Sequence, residues 1–174
     1  MQDDRKYFIL DLGQPLGGNV EFWSQYQCRL YIEDFYRDYR AKAASGSEVS
    51  KEAIFADLLQ FSAETSFDII LTWDLLNYLD PEEIGMLVLR LSRWCRSGTL
   101  LFALISSLPL IPAEPTVFRI LDSERMVYET RTRETQPCPR YHPRDVAKYV
   151  APFEVSSSFL LRHGIQEYVF VYRP

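Results

Sequence analysis

The residues best placed to do chemistry lie between Gly13 and Asp34. A glycine-bearing turn, DLGQPLGG, stands twenty residues ahead of two adjacent carboxylates, Glu33 and Asp34. Glycines at such a turn let backbone N–H groups come close to a ligand, and an acid at about that distance is where dinucleotide-type folds accept from the ribose hydroxyls. The chemistry implied is the holding of a nucleotide-like cofactor. A one-residue shift of the strand end decides between Glu33 and Asp34, and both could instead cap the helix that follows. Pro15 sits inside the turn, where its fixed φ and missing N–H change the donor pattern. Other reactive patterns are sparse. No GxxxxGK[ST] phosphate loop, HExxH pair or GxSxG elbow occurs, and DLGQPLGG lacks the GxGxxG spacing of nicotinamide binders. Cys138 and His142 form a C-x3-H pair with no further ligands in sequence, so no metal centre is expected.

The elements that must position these residues alternate between strand and helix. Tyr7 to Leu12 is an apolar run that breaks at Gly13, a short helical pattern covers Asn19 to Tyr26, and a second run, Arg29 to Ile32, stops at the acids. Glu33 to Ala44 reads as a helix on the sheet, followed by a loop at SGS, residues 45–47. KEAIFADLLQF reads two ways: as a helix capped by Ser50, or as a short strand Ala53 to Phe55 ending near Asp57. The clearest helix runs from Asp80 to Arg96. Asp80 is a natural N-cap, Pro81 fills the first helical position and Glu83 completes a capping box. Its apolar residues Ile84, Leu87, Val88, Leu91, Trp94 and Cys95 recur at spacings of three and four.

Phe67 to Trp73 and Thr99 to Ser106 flank that helix and are apolar on consecutive residues, as strands buried on both faces are. They are expected to be neighbours joined by a helical crossover. SLPLIPAEP then reads as a proline loop, TVFRIL and RMVYET as a hairpin, QPCPRYHP as a second proline loop, and Pro143 to Val150 as a short helix. EVSSSFLL and QEYVFVY close the chain as an antiparallel pair with Tyr168, Phe170 and Tyr172 on one side. The pattern predicts an α/β fold with a mainly parallel sheet.

Composition limits the function. A chain of 174 residues with 47% apolar content suits one domain spanning 1–174. No stretch nears the roughly 18 apolar residues of a membrane span, and MQDDRKYF lacks a signal peptide's apolar core. Cys28, Cys95 and Cys138 lie far apart, which fits reduced thiols and a cytoplasmic location. With 24 acids against 19 bases, a nucleic acid partner is not expected. Acids dominate residues 1–80, 14 against 7 bases, while arginines gather between Arg119 and Lys148 on what reads as a solvated face. Tyr31, Phe35, Tyr36 and Tyr39 belong either to the core or to a surface for a protein partner.

The order of elements resembles the class I S-adenosylmethionine (SAM)-dependent methyltransferases over residues 7–174. Three places carry the likeness: DLGQPLGG, Ile32 to Asp34, and FDIILTWDLLNYLDPEE with the helix and SGTLLFAL after it. The resemblance implies a doubly wound, Rossmann-like sheet of about seven strands ending in an antiparallel hairpin, with SAM as cofactor. It assigns Asp11, Gly13 and Gly17 to the methionyl half of SAM, with Pro15 where the family has its middle glycine. Glu33 carries over as the ribose ligand, Asp57 as the residue meeting the adenine amino group, and Trp73 as part of the cofactor wall. Asp74 or Tyr78 would orient the acceptor's nucleophile or act as a base. The helices that close over the cofactor in the family are missing before Tyr7, leaving the loops at 106–118 and 134–143 as lids. Two functions follow: methyl transfer to an unidentified small-molecule or protein acceptor, or a non-catalytic protein-interaction module on the same fold.

Overall fold

The computed structural model describes residues 5–45 and 50–174. The sequence reading of Met1 to Asp4, and of Gly46 and Ser47 as loop, concerns positions outside these. Doubly apolar strands build the centre of the molecule. β1 (Tyr7–Asp11), β2 (Cys28–Ile32), β3 (Ile69–Trp73) and β4 (Leu100–Ser106) run parallel in the order β2-β1-β3-β4. Leu10, Ile70, Leu101 and Ala103 point to one core, whereas Ile9, Leu71, Trp73 and Leu104 point to another on the opposite face. That two-sided burial is why these strands carry consecutive apolar residues.

Helices cover the two faces unequally. α1 (Gly17–Ser24) lies on the second face, while α2 (Phe35–Ala44), α3 (Lys51–Leu58) and α4 (Pro81–Ser92) bury Phe35, Phe55 and Leu87 against the first. The capping box of α4 is formed: Asp80 accepts the Glu83 N–H at 2.8 Å, and Glu83 accepts the Asp80 N–H at 2.8 Å. Glu83 is buried, and there it also accepts from the Tyr39 hydroxyl and pairs with Lys51. KEAIFADLLQF is helical from Lys51, with the Ser50 side chain accepting the Ala53 N–H at 3.3 Å. Since Ala53 to Phe55 adds no strand, the main sheet has six strands among the described residues, close to the seven expected.

The C-terminal half supplies the rest. β5 (Leu110–Pro112) pairs with β8 (Thr135–Pro137), and β6 (Val117–Ile120) pairs with β7 (Met126–Glu129). The second pair is the expected hairpin. The first joins both proline loops into a ribbon that the sequence did not suggest, its prolines lying on two strands that are both edges. α5 (Pro143–Tyr149) then leads to β9 (Phe153–Leu160) and β10 (Ile165–Tyr172), with β10 antiparallel between β4 and β9. Tyr168, Phe170 and Tyr172 are buried together, as their alternation predicts.

The β6–β7 hairpin covers the second face beside α1. Asn19, buried in α1, clasps it: Nδ2 donates to the Phe118 carbonyl at 3.0 Å and Oδ1 accepts the Ile120 N–H at 2.9 Å. Phe118 is thereby laid flat on Trp73, ring centroids 5.4 Å apart and 7° from parallel.

Candidate functional site

β1, β2 and β3 end along one edge, where Asp11 is in register with Ile32 and with Leu71. A cavity of about 500 Å³ opens there. The loop after β1 gives it Gly13 and Gln14, the turn after β2 gives Asp34, α2 gives Tyr36, Arg37 and Arg40, and the end of β3 gives Trp73 and Asp74. The 113–116 loop and Arg131 close the far side. Open α/β sheets bind ligands at such carboxyl edges.

Asp11 is buried, and its Oδ1 accepts two bonds, from the Gly13 N–H at 2.9 Å and from the Trp73 Nε1–H at 2.6 Å. Burial pushes its carboxyl above the ordinary range, and the Trp73 and Gly13 bonds oppose that. Trp73 itself has φ 50°, a left-handed conformation that is strained for a bulky side chain. The indole lies so close to Gly13 that a Cβ there would stand 2.8 Å from Trp73 Cδ1. Glycine is therefore required at position 13 by the chain's own packing. Pro15, Leu16 and Gly17 are not on the cavity wall; Leu16 precedes α1 and Gly17 begins it.

Of the two acids after β2, Asp34 lies on the cavity wall and Glu33 does not. Asp34 has a side chain 9% exposed and pairs with Arg37 at 3.2 Å. Burial raises its carboxyl, while Arg37 and Arg131 pull it down. Glu33 lines a separate groove with Phe8, Arg29 and Gln60, and burial raises it too. Asp57 is on the exposed side of α3, in an ion pair with Lys42 that holds its carboxyl low, away from the cavity.

Asp74 is buried at the junction of this cavity with a second one of about 190 Å³, and both include Thr116. Its Oδ2 accepts the Thr116 N–H at 2.9 Å, yet burial dominates and pushes its carboxyl up to about 6. A carboxyl so raised is poised to exchange a proton near neutral pH. Tyr78 lines the second cavity only; its hydroxyl donates to the Glu114 carbonyl at 2.9 Å, and burial together with Asp74 raises it strongly. Cys138 and His142 have local work instead: the buried thiol donates to the Ser106 carbonyl, and His142 Nδ1 accepts the Arg144 N–H at the start of α5.

Sequence reading missed Tyr36, Arg37, Arg40, Arg131 and Thr116 as cavity residues. The α2 residues carried a signal, since a helix that starts beside an acid at a strand end turns its first residues to the same side. Thr116 fell only within the 106–118 loop expected as a lid, and Arg131, far along the chain, carried no signal.

No protein-family model matches the sequence, and no curated protein matches it. Solved structures do match in fold. A SAM-dependent methyltransferase from Clostridium acetobutylicum aligns over 97% of this chain and 84% of its own, at TM-score 0.55 and 12% identity. One from Methanosarcina mazei aligns over 99% and 94%, at TM-score 0.54 and 14% identity. The 1,6-didemethyltoxoflavin-N1-methyltransferase of Burkholderia thailandensis, solved with 1,6-didemethyltoxoflavin and S-adenosylhomocysteine bound, aligns over 98% and 72%, at TM-score 0.54 and 15% identity. The chain has a class I SAM-dependent methyltransferase-like fold.

Proposed function

We propose that this protein is a SAM-dependent methyltransferase. One observation carries the reading: Gly13, Gln14, Asp34 and Asp74 together line one cavity of about 500 Å³ at the strand ends. Its volume is within the roughly 300–1,000 Å³ of small-molecule sites. Bound SAM supplies an electrophilic methyl group on a sulfonium centre. Asp34 suits the ribose hydroxyls, because a carboxylate accepts from both, and Arg37 opposes the burial that raises it. Arg40 and Arg131, exposed at the mouth, suit the cofactor's carboxylate. Asp74 holds or takes the acceptor's proton at its carboxyl oxygen. Asp11 and Gly13 act indirectly, fixing the turn through Trp73.

Calorimetry with SAM and S-adenosylhomocysteine tests this reading. Binding is expected, and Asp34→Ala should weaken it by about 1.5–3 kcal/mol, as loss of charged hydrogen bonds does, while Glu33→Ala leaves it unchanged. Absence of heat and of a thermal shift with either ligand at millimolar concentration would sink the proposal.

A second reading is favoured by the self-satisfaction of the glycine turn. The Asp11 carboxylate already accepts from the Gly13 N–H and from the Trp73 indole N–H, and Pro15 has no N–H to give. A protein in which that turn no longer receives a methionyl group would be a non-catalytic interaction module. Its contact surface would be the arginine-bearing 119–148 region, and its partner a protein. Demonstrated methyl transfer removes this alternative.

A further inference from the structure

We infer that the second cavity, beside Asp74, binds a small uncharged single-ring compound whose one hydroxyl or N–H is turned to Asp74. Calling that compound the methyl acceptor rests on the function proposed above; the binding itself does not. The walls are apolar: Leu104, Ile111 and Phe118 are buried there, with Pro112 and Ile165 beside them. At the mouth, Leu108, Leu110 and Tyr128 remain 42%, 51% and 56% exposed. Three large apolar side chains kept in water around one opening are what an apolar ligand would cover. Size limits the occupant. An engineered apolar cavity of about 150 Å³ takes benzene, so about 190 Å³ fits one ring with a substituent better than two fused rings.

Chemistry limits it further. Most polar groups at the inner end are already engaged. Asn77 donates to the Asp74 and Leu104 carbonyls and accepts the Ser106 N–H, each at 2.9 Å. The Tyr78 hydroxyl donates to the Glu114 carbonyl, and Ser106 Oγ accepts the Leu108 N–H. Asp74 and Thr116 both face the two cavities, and of these the Asp74 carboxyl has the greater capacity to accept another bond, a carboxylate having about four acceptor sites. Among the described residues no lysine or arginine lines the smaller cavity, whose one basic side chain is His163, and the apolar walls together with the Asp74 carboxyl disfavour an anion. A neutral ring with one donor satisfies all of these, and its donor atom then faces the larger cavity.

Titration of the full chain with 4-methylphenol, toluene, 4-methylbenzoate and 2-naphthol, followed by NMR shifts of residues 104–118, tests the inference. Binding of 4-methylphenol is expected, about tenfold tighter than toluene for one hydrogen bond to a carboxyl, with no binding of the benzoate or the naphthol. Ile111→Phe, which fills the cavity, should abolish it, and so should Leu110→Asp at the exposed mouth, a variant that disturbs no core. No binding of 4-methylphenol, equal binding of 2-naphthol, or binding that survives both substitutions overturns the inference. A separate S-adenosylhomocysteine titration keeps the two ideas apart. Its success with no phenol bound overturns only the ring site, and its failure with phenol bound overturns only the methyltransferase.

Discussion

At the scale of single residues, Trp73 and Asp74 are neighbours with opposite functions. Trp73 fixes the turn by giving its N–H to buried Asp11. Trp73→Phe keeps the ring stack on Phe118 but removes that donor, and should cost about 1–3 kcal/mol in urea unfolding. The cost should be larger at pH 7 than at pH 4, because the charged form of Asp11 needs the bond most. For Asp74 the linkage has the opposite sign from an ordinary ion-paired acid. Its carboxyl rises from 3.8 to about 6 on folding, so the folded protein binds the extra proton and stability falls as pH climbs through that window. Above pH 6 the penalty reaches about 3 kcal/mol. Asp74→Asn should therefore unfold at higher urea than the parent at pH 8, show little difference at pH 4, and lose methyl transfer. Gly13 also has a clear expectation: Gly13→Ala drives a Cβ into the indole and should destabilise by about 1–3 kcal/mol.

At the scale of elements, the hairpin β6–β7 covers the second face of the sheet beside α1. It is held to α1 by the two bonds of Asn19. Asn19→Ala leaves the Phe118 carbonyl and the Ile120 N–H without that partner, at a cost of about 1–3 kcal/mol. Amide exchange should then speed up in β6 and β7 before the central strands. Elements were legible where their signals were local. The capping box of α4 needs only Asp80 and Glu83, three residues apart, and it formed as read. The β5–β8 ribbon was not legible, because Leu110 pairs with Pro137 across a long loop and prolines argue against strands. KEAIFADLLQF remained two-valued until α2 and α4 took Ile54 and Phe55 into their core.

At the scale of the whole molecule, the two cavities meet at one carboxyl, and the larger has walls from both halves of the chain. Ligand binding there should tie the halves together. S-adenosylhomocysteine at a hundred times its Kd should add about 2.7 kcal/mol, moving Tm by about 5–10 °C for a chain of this size; differential scanning calorimetry reads this directly. The amino-acid sequence by itself determined the order of the main-sheet strands and of the helices other than α3, and hence the fold class, since apolar runs, helical period and caps are properties of neighbouring residues. Tertiary structure alone decided the site. Side chains at a strand end alternate between faces, so a single residue separates Asp34 in the cavity from Glu33 outside it. Thr116 and Arg131 join Asp74 and Asp34 only because the chain folds back across the carboxyl edge of the sheet.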